Sequence, residues 1–353
     1  MDLGTRIRMA RTAGGLSLRA LAEKADISAM AISKYENGKD VPRSGVLIRL
    51  SKALDVNVDY FFRTVEVNLS RPMYRNHDVL PKKEENEIHE QIRDLIERYL
   101  EIEEIVGSPQ QFRMPPKERR RVAELDDAEI VAQNLRSFWK LGTDPIENMI
   151  DIFEQNGIKV GEIDGTKNFD ALTFFVDEKT PVIVVKKNVV GDRQRFSLAH
   201  ELGHIVMDLT PGINSENAAH RFAGAFLAPS NGLIADLGAK RNMLDIYELH
   251  LLKHKYGISM QALIYRARDL HIITPAKWSQ IFDIFTERDW REREPGDQLR
   301  PETPNRMKRM IFRALSEHKI TRSRAAELIG TDFDQFCRNE INEHNGFPIP
   351  VCD

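Results

Sequence analysis

A chain of 353 residues with 41% hydrophobic and 30% charged side chains is too long for one ordinary core and too apolar for global disorder, so two or three domains are expected. The net charge of -3 hides an uneven spread: residues 1–64 carry eleven Lys/Arg against seven Asp/Glu, whereas residues 82–106 carry nine acids against four bases, which makes the N-terminal block the part suited to a polyanion. The two cysteines, Cys337 and Cys352, cannot staple a fold of this size and favour a reducing compartment; with no signal-peptide pattern and no apolar run of membrane-spanning length, the sequence reads as cytoplasmic and without a membrane partner.

Residues 2–62 show short periodic apolar segments separated by small turns, which predicts a compact bundle of about five short helices. Within it, Leu18–Gly38 is the informative string. Ser17 and Ser28 stand where N-caps would satisfy the first free N–H groups of two successive short helices. Asp26 falls at the turn position that needs a left-handed backbone, and Leu21, Ala25, Ile27 and Ile32 give the pair a shared buried face, with small Ala22 allowing close crossing. Residues 3–62, ending with Val56-Asn57-Val58-Asp59-Tyr60-Phe61-Phe62, resemble the Cro/repressor or XRE-type helix-turn-helix family. The resemblance implies that the start of the second motif helix enters the major groove of operator DNA. It carries base contact onto Ala29, Met30 and Lys34, with Ser28 and Ser33 in the same reading segment, and phosphate contact onto Ser17, Arg19, Asn37, Lys39 and Arg43. Ala29 and Met30 can meet thymine methyl groups but make no bidentate hydrogen bond, so Lys34 is the better specificity candidate. A bundle used for protein contact is the alternative.

The stretch Asn68–Pro81, with Pro72 and Pro81, reads as a linker. Ile88, Ile92, Leu95, Ile96, Tyr99, Ile102 and Ile105 then recur at helical spacing on a charged background, which predicts a long amphipathic helix packed on a neighbour or on a second copy. Lys117, Arg119, Arg120 and Arg121 read as a solvated helix start rather than a nucleic-acid patch. A helix is expected from Asp127 to Leu141, closed by Gly142, and another from Pro145 to Asn156-Gly157. Strands are expected at Ile158–Ile163, Ala171–Val176 and Val182–Val185, forming a small mixed sheet, and helices fill Asp192–Leu270, an α+β pattern with a helical majority.

In Arg195-Phe196-Ser197-Leu198-Ala199-His200-Glu201-Leu202-Gly203-His204, the two histidines lie four residues apart. On a helix that spacing puts both imidazoles on one face, where they can bind one Zn²⁺. Glu201 lies beside the metal and can act as a general base toward the attacking water and a proton donor to a leaving amine. A third ligand is required; the next apolar-periodic segment offers Glu216, with His220 four residues on as the rival or as a supporting residue.

From Ala123 to Thr274 the chain resembles the ImmA/IrrE zinc metallopeptidase family, in Trp139-Lys140-Leu141-Gly142, Pro145-Ile146, Gly157-Ile158-Lys159-Val160, Pro181–Val185, Arg193–His204, Glu216-x-x-Ala219-x-x-Phe222-Ala223, Leu227-Ala228-Pro229 and Ser259–Leu263. The resemblance maps ligands onto His200, His204 and Glu216 and the general base onto Glu201; His220 departs from the Asn common at its position, and the loop between His204 and Glu216 is short. It also implies cleavage of repressor proteins and settings such as mobile elements, stress regulons and toxin–antitoxin loci. An edge strand beside the zinc helix would hold an extended peptide by strand addition.

The expected fold is therefore multidomain: an all-α helix-turn-helix domain at 1–65, a linker with an amphipathic helix at 66–120, an α+β zincin-like metallopeptidase domain at 121–275, and a helical C-terminal region at 276–353. In that last region, Lys319–Gly330 has the small-residue pattern of another helix-turn-helix half, or of a packed helical hairpin. His250 and His254 read as surface histidines, and Arg266 and Arg268 as structural ion pairs rather than oxyanion donors. The expected function is a transcriptional regulator, acting as a homodimer, whose zinc peptidase cleaves a repressor or controls its own stability. The alternatives are an antitoxin or repressor whose peptidase-like domain is a sensor or binds a partner such as a toxin, and a free-standing peptidase with an incidental helix-turn-helix.

Overall fold

A computed structural model of the chain describes residues 2–63, 67–70, 81–164 and 170–344. Cys352 and most of the Asn68–Pro81 linker, Pro72 included, lie outside the described residues. The chain divides into two compact units: one combines the N-terminal segment, the segment ending at Pro109 and the segment beginning at Asn305, and the other runs from Gln110 to Pro304.

The first unit opens with α1 (Leu3–Ala13), capped by the Asp2 carboxylate, then α2 (Leu18–Ala25), α3 (Ala29–Glu36), α4 (Ser44–Leu54) and a 3₁₀ turn at Val58–Phe62. Ser17 and Ser28 cap α2 and α3 as their positions predict, and Asp26 takes the left-handed conformation at φ 52°. Ile7, Leu21, Ala25, Ile32, Leu50 and Phe61 close the bundle's core.

The long amphipathic helix is α5 (Lys82–Val106). Its apolar face is covered within the unit. The same unit contains α1 and, from the other end of the chain, α14 (Arg306–Ser316) and α15 (Arg322–Ile329), both of which pack on α5; α16 (Phe333–His344) follows. Tyr99, Ile102 and Val106 of α5 share one core with Met310, Ile311, Ala314, Ala325, Ala326, Leu328 and Phe336. This face, expected on a neighbour or a second copy, is thus covered by α1 and by the chain's own C-terminal helices.

Charge explains the pairing. The acidic α5 meets a segment, residues 306–324, with seven Lys/Arg and one Glu. Arg63 bridges Asp94 of α5 and Glu327 of α15 at 2.5 and 2.8 Å, Arg324 pairs with Glu101 and Glu327, and Arg306 pairs with Glu103 and donates to the Tyr99 hydroxyl and the Ser108 carbonyl. Arg6 of α1 pairs with Glu97 where both side chains are fully buried.

In the second unit, a 3₁₀ turn at Lys117–Arg119 leads into β1 (Arg121–Val122), so the basic cluster forms a turn and a short strand rather than a helix start. Next come α6 (Asp127–Phe138) and α7 (Met149–Gln155). The latter was expected from Pro145; it begins instead after the Asn148 cap, because Arg195 holds the carbonyls of Ile146 and Glu147 at 2.6 and 3.3 Å. Strands β2 (Lys159–Ile163), β3 (Ala171–Val176) and β4 (Thr180–Lys186) form the mixed sheet in the order β2-β4-β3, with β2 parallel and β3 antiparallel to β4. Helix α8 (Gly191–Val206) lies on this sheet. A two-residue β5 (Asp208–Leu209), within a stretch read as wholly helical, pairs parallel with β1. Helices α9 (Ser215–Leu227), α10 (Ser230–Leu237), α11 (Ile246–Tyr256), α12 (Met260–Asp269) and α13 (Pro275–Glu287) complete the unit.

The boundary expected at 275 falls inside this unit. Gly191 donates to the Leu299 carbonyl, Gln194 and Glu302 exchange hydrogen bonds, Glu302 pairs with buried Arg195, and fully buried Lys253 lies between Asp192 and Glu294. Residues 294–302 thereby clamp the start of α8.

Candidate metal centre and nucleic-acid face

Helices α8 and α9 can approach closely because of a glycine. A Cβ on Gly203 would stand 3.0 Å from the Phe222 ring and 3.4 Å from the Ala219 backbone. Asn214 caps α9 by accepting from the Asn217 N–H, which puts Glu216 in the first turn, facing α8. Around α9, Arg266 pairs in bidentate fashion with Glu129 and donates to the Ala228 carbonyl, while Arg136 donates to the Phe226 carbonyl. Arg268 pairs with Asp269 and stacks over Tyr265 and Trp278. Both candidate oxyanion donors are therefore structural.

His200, His204 and Glu216 bring their ligand atoms together, all within 4.8 Å of one another. The two Nε2 atoms are 3.1 Å apart, and the Glu216 oxygens lie 3.1 Å from His200 Nε2 and 3.3 Å from His204 Nε2. Ligands around a tetrahedral ion at about 2.0–2.1 Å stand roughly 3.3 Å from one another, so the donor set fits Zn²⁺ in both chemistry and spacing. Burial, with His220 and His204 nearby, pushes His200 down to about 3, which keeps its imidazole in the neutral form that a metal requires.

His220 does not join this cluster among the described residues. Its ring packs against His200 at 4.5 Å between centroids and stacks on Phe196 at 5.8 Å. The His220 ring, tilted by 54° against the His200 imidazole, is a packing contact that restricts the rotation of this ligand candidate. Glu201 projects toward the sheet, where the buried Thr173 hydroxyl of β3 donates to its carboxylate at 2.5 Å. Sequence reasoning missed Thr173, although a hydroxyl residue in the otherwise apolar Ala171–Val176 strand was a visible signal. His250 and His254 form a second ring pair at 4.7 Å, with no third ligand among the described residues.

On the first unit, Ser17, Arg19, Ser28, Met30, Lys34, Asn37, Lys39 and Arg43 are exposed, and Ala29 and Ser33 are half-buried. The Ser17 and Ser28 hydroxyls accept from the N–H groups of Ala20 and Ala31, both at 3.1 Å, so each retains its proton for an outside acceptor. Asn37 is less available than expected: its amide donates to the Ser33 carbonyl and accepts from Arg8, which also donates to the Glu36 carbonyl. Its side chain clamps the end of α3 to α1. Two large apolar side chains stand bare here, Met30 at 70% and Val41 at 71% exposure; Val41, between Lys39 and Arg43, escaped the sequence reading.

Residues 7–61 match the helix-turn-helix family model and residues 153–268 the IrrE N-terminal-like domain model, which spans His200, Glu201, His204 and Glu216. The N-terminal part is 37% identical over 76 residues to an uncharacterized HTH-type transcriptional regulator of Rickettsia conorii, covering 21% of this chain and 61% of the relative. A counterpart from Rickettsia prowazekii is also 37% identical over 76 residues, with 21% and 58% covered. An uncharacterized transcriptional regulator in the ATPase CF(0) region of Rhodospirillum rubrum is 39% identical over 64 residues, with 18% and 59% covered. The matches thus span about three-fifths of each relative's own length. No helix among the described residues is long and apolar enough to cross a membrane. With both family models matched in this order, the chain joins an XRE-type helix-turn-helix domain to an IrrE/ImmA-like domain.

Proposed function

We propose that this protein is a transcriptional regulator that binds operator DNA through α3 and carries, in its second unit, a zinc-dependent metalloendopeptidase that cleaves a repressor protein or controls its own stability. The observation that carries the peptidase reading is the convergence of His200, His204 and Glu216 beside Glu201. Those three residues would hold the ion. When bound, Zn²⁺ supplies the Lewis acidity that amide hydrolysis needs. Glu201, oriented by Thr173, takes the proton of the attacking water and delivers it to the leaving amine. Strand β3 pairs only with β4 among the described residues and carries Thr173 beside Glu201, so a substrate laid along this edge as an extended segment would present its backbone to the base.

On the DNA side, Met30 and Ala29 meet thymine methyl groups, Lys34 reaches base edges, and the hydroxyls, backbone amides and cations of Ser17, Arg19, Ser28, Ser33, Lys39 and Arg43 hold sugar-phosphate. One short reader helix covers few base pairs, which favours a homodimer on a two-fold operator.

The peptidase reading is tested by incubating the zinc-loaded chain with a proteome-derived peptide library and identifying new termini by mass spectrometry. Wild type should cut, and Glu201→Gln should hold equal zinc without cutting. Equal cleavage by both overturns the assignment of Glu201. No cleavage by zinc-loaded wild type favours the sensor or antitoxin reading, in which the unit binds a partner such as a toxin.

A further inference from the structure

The C-terminal helices repeat the N-terminal three. Helices α1 and α14 each have eleven residues, and α2 and α15 each have eight. The N-caps Ser17 and Thr321 accept from the third N–H onward, at Ala20 and Arg324, over 3.1 and 3.2 Å. Both eight-residue helices end in a left-handed residue, Asp26 at φ 52° and Gly330 at φ 85°. The next N–H returns to the same carbonyl in each, Ile27 to Ala22 and Thr331 to Ala326, at 3.1 and 3.0 Å. Second caps follow at the same spacing: Ser28 accepts from Ala31 and Asp332 from Gln335. Between the two helices of each pair, Leu21, Ala22 and Ile32 are buried in one, and Ala325, Ala326 and Phe336 in the other.

Packing on α5 does not consume the reading side. The face of α15 committed to the rest of the unit is that of Glu327, paired with Arg63, and Leu328, whose carbonyl accepts from Arg98. Both residues are buried, whereas Glu23 and Lys24 at the matching places of α2 are exposed. The opposite side stays bare: Ser323 stands where Arg19 does, and Phe333, Asp334 and Arg338 stand where Ala29, Met30 and Lys34 do, all four exposed. Of the two acids at the start of α16, Asp332 uses its carboxylate as the cap, and Asp334 is of a type that accepts from the cytosine amino group.

We propose that residues 306–338 form a second helix-turn-helix that contacts duplex DNA through the exposed side of α16, with Arg338 as its principal contact. A single chain then carries two readers. This rests on the proposed DNA-binding function, and the experiment separates the two.

Duplexes are selected from a random pool with the full-length protein and footprinted with hydroxyl radicals, using wild type, Lys34→Ala and Arg338→Ala. The expected result is a protected patch that disappears in Arg338→Ala but persists in Lys34→Ala, with affinity lowered roughly tenfold by the Arg338 change and the melting temperature unchanged, since Arg338 is exposed. If Arg338→Ala leaves footprint and affinity as in wild type while Lys34→Ala loses binding, the second reader is overturned and α14–α16 serve as scaffold or as a protein-binding surface. If wild type enriches no duplex, both the second reader and the DNA-binding function fall.

Discussion

Both units combine apolar cores with buried ion pairs, but they draw on different stretches of the chain. In the second, an apolar core of Leu198, Leu202, Ala219, Phe222, Phe226 and their neighbours brings α8 onto α9, and its site is assembled by two helices consecutive in the chain save for the short β5. In the first, charge pairs join segments 31 to 264 residues apart, Arg63 to Asp94, Arg6 to Glu97 and Arg63 to Glu327, around cores that draw on both ends of the chain. The difference teaches that one unit of a chain can carry a site written in local spacing while the assembly of the other depends on matches far apart in sequence.

The largest effect expected from breaking this contrast is at Arg6. Removing one member of a fully buried ion pair leaves the other uncompensated, so Arg6→Met should destabilise the first unit by about 3–5 kcal/mol. Adding Glu97→Leu should restore most of that loss, read as the denaturant midpoint; a double variant no better than the single would show that the pair is not the linkage. In the second unit, Gly203→Ala pushes a methyl to 3.0 Å from the Phe222 ring, a case of overpacking that typically costs about 1–3 kcal/mol. It should part α8 from α9 and weaken zinc affinity, measured by chelator competition, whereas an unchanged affinity would mean that the helix separation does not govern the ligands.

The second unit also contains its own test by acid. Burial raises the Glu129 carboxyl, but the hydrogen bond and charge of Arg266, with Arg221, outweigh it and hold the group below the ordinary range. Its unfolded value is about 4.3, so the stabilisation is fully present above that pH and is lost as pH falls through the lower folded value. Glu129→Gln should flatten the acid limb of the melting curve; an unaltered limb would exclude this pair as its source. The smallest effect is at the caps: Ser28→Ala should cost about 1 kcal/mol, and should also lower operator affinity because Ser28 fixes the start of α3. Loss of stability without loss of affinity would remove Ser28 from the DNA face.

The legibility of the sequence follows the divide between local and long-range contacts, in both units. His200, Glu201 and His204 are visible because helix periodicity alone puts the histidines on one face, and Glu216 because a capped, apolar-periodic helix follows. The two serine caps and left-handed Asp26 are equally local. Thr173 was not visible as a partner of Glu201, since a strand residue meets a helix residue 28 positions away only after the sheet has formed. The start of α7 was misplaced because Arg195, far along the chain, claims the carbonyls of Ile146 and Glu147. Likewise the apolar stripe of α5 was plain, but apart from α1 its partners lie beyond residue 305, and their basic charge was the one cue to the match.

The measurement closest to the central proposal is zinc content per chain by elemental analysis, in wild type and in Glu216→Ala, after loading and removal of free metal. One zinc per wild-type chain, lost or markedly weakened in the variant, is the result expected if His200, His204 and Glu216 form a three-ligand site. Wild-type protein that stays metal-free when offered zinc would contradict the peptidase reading and leave a DNA-binding regulator with an inactive scaffold.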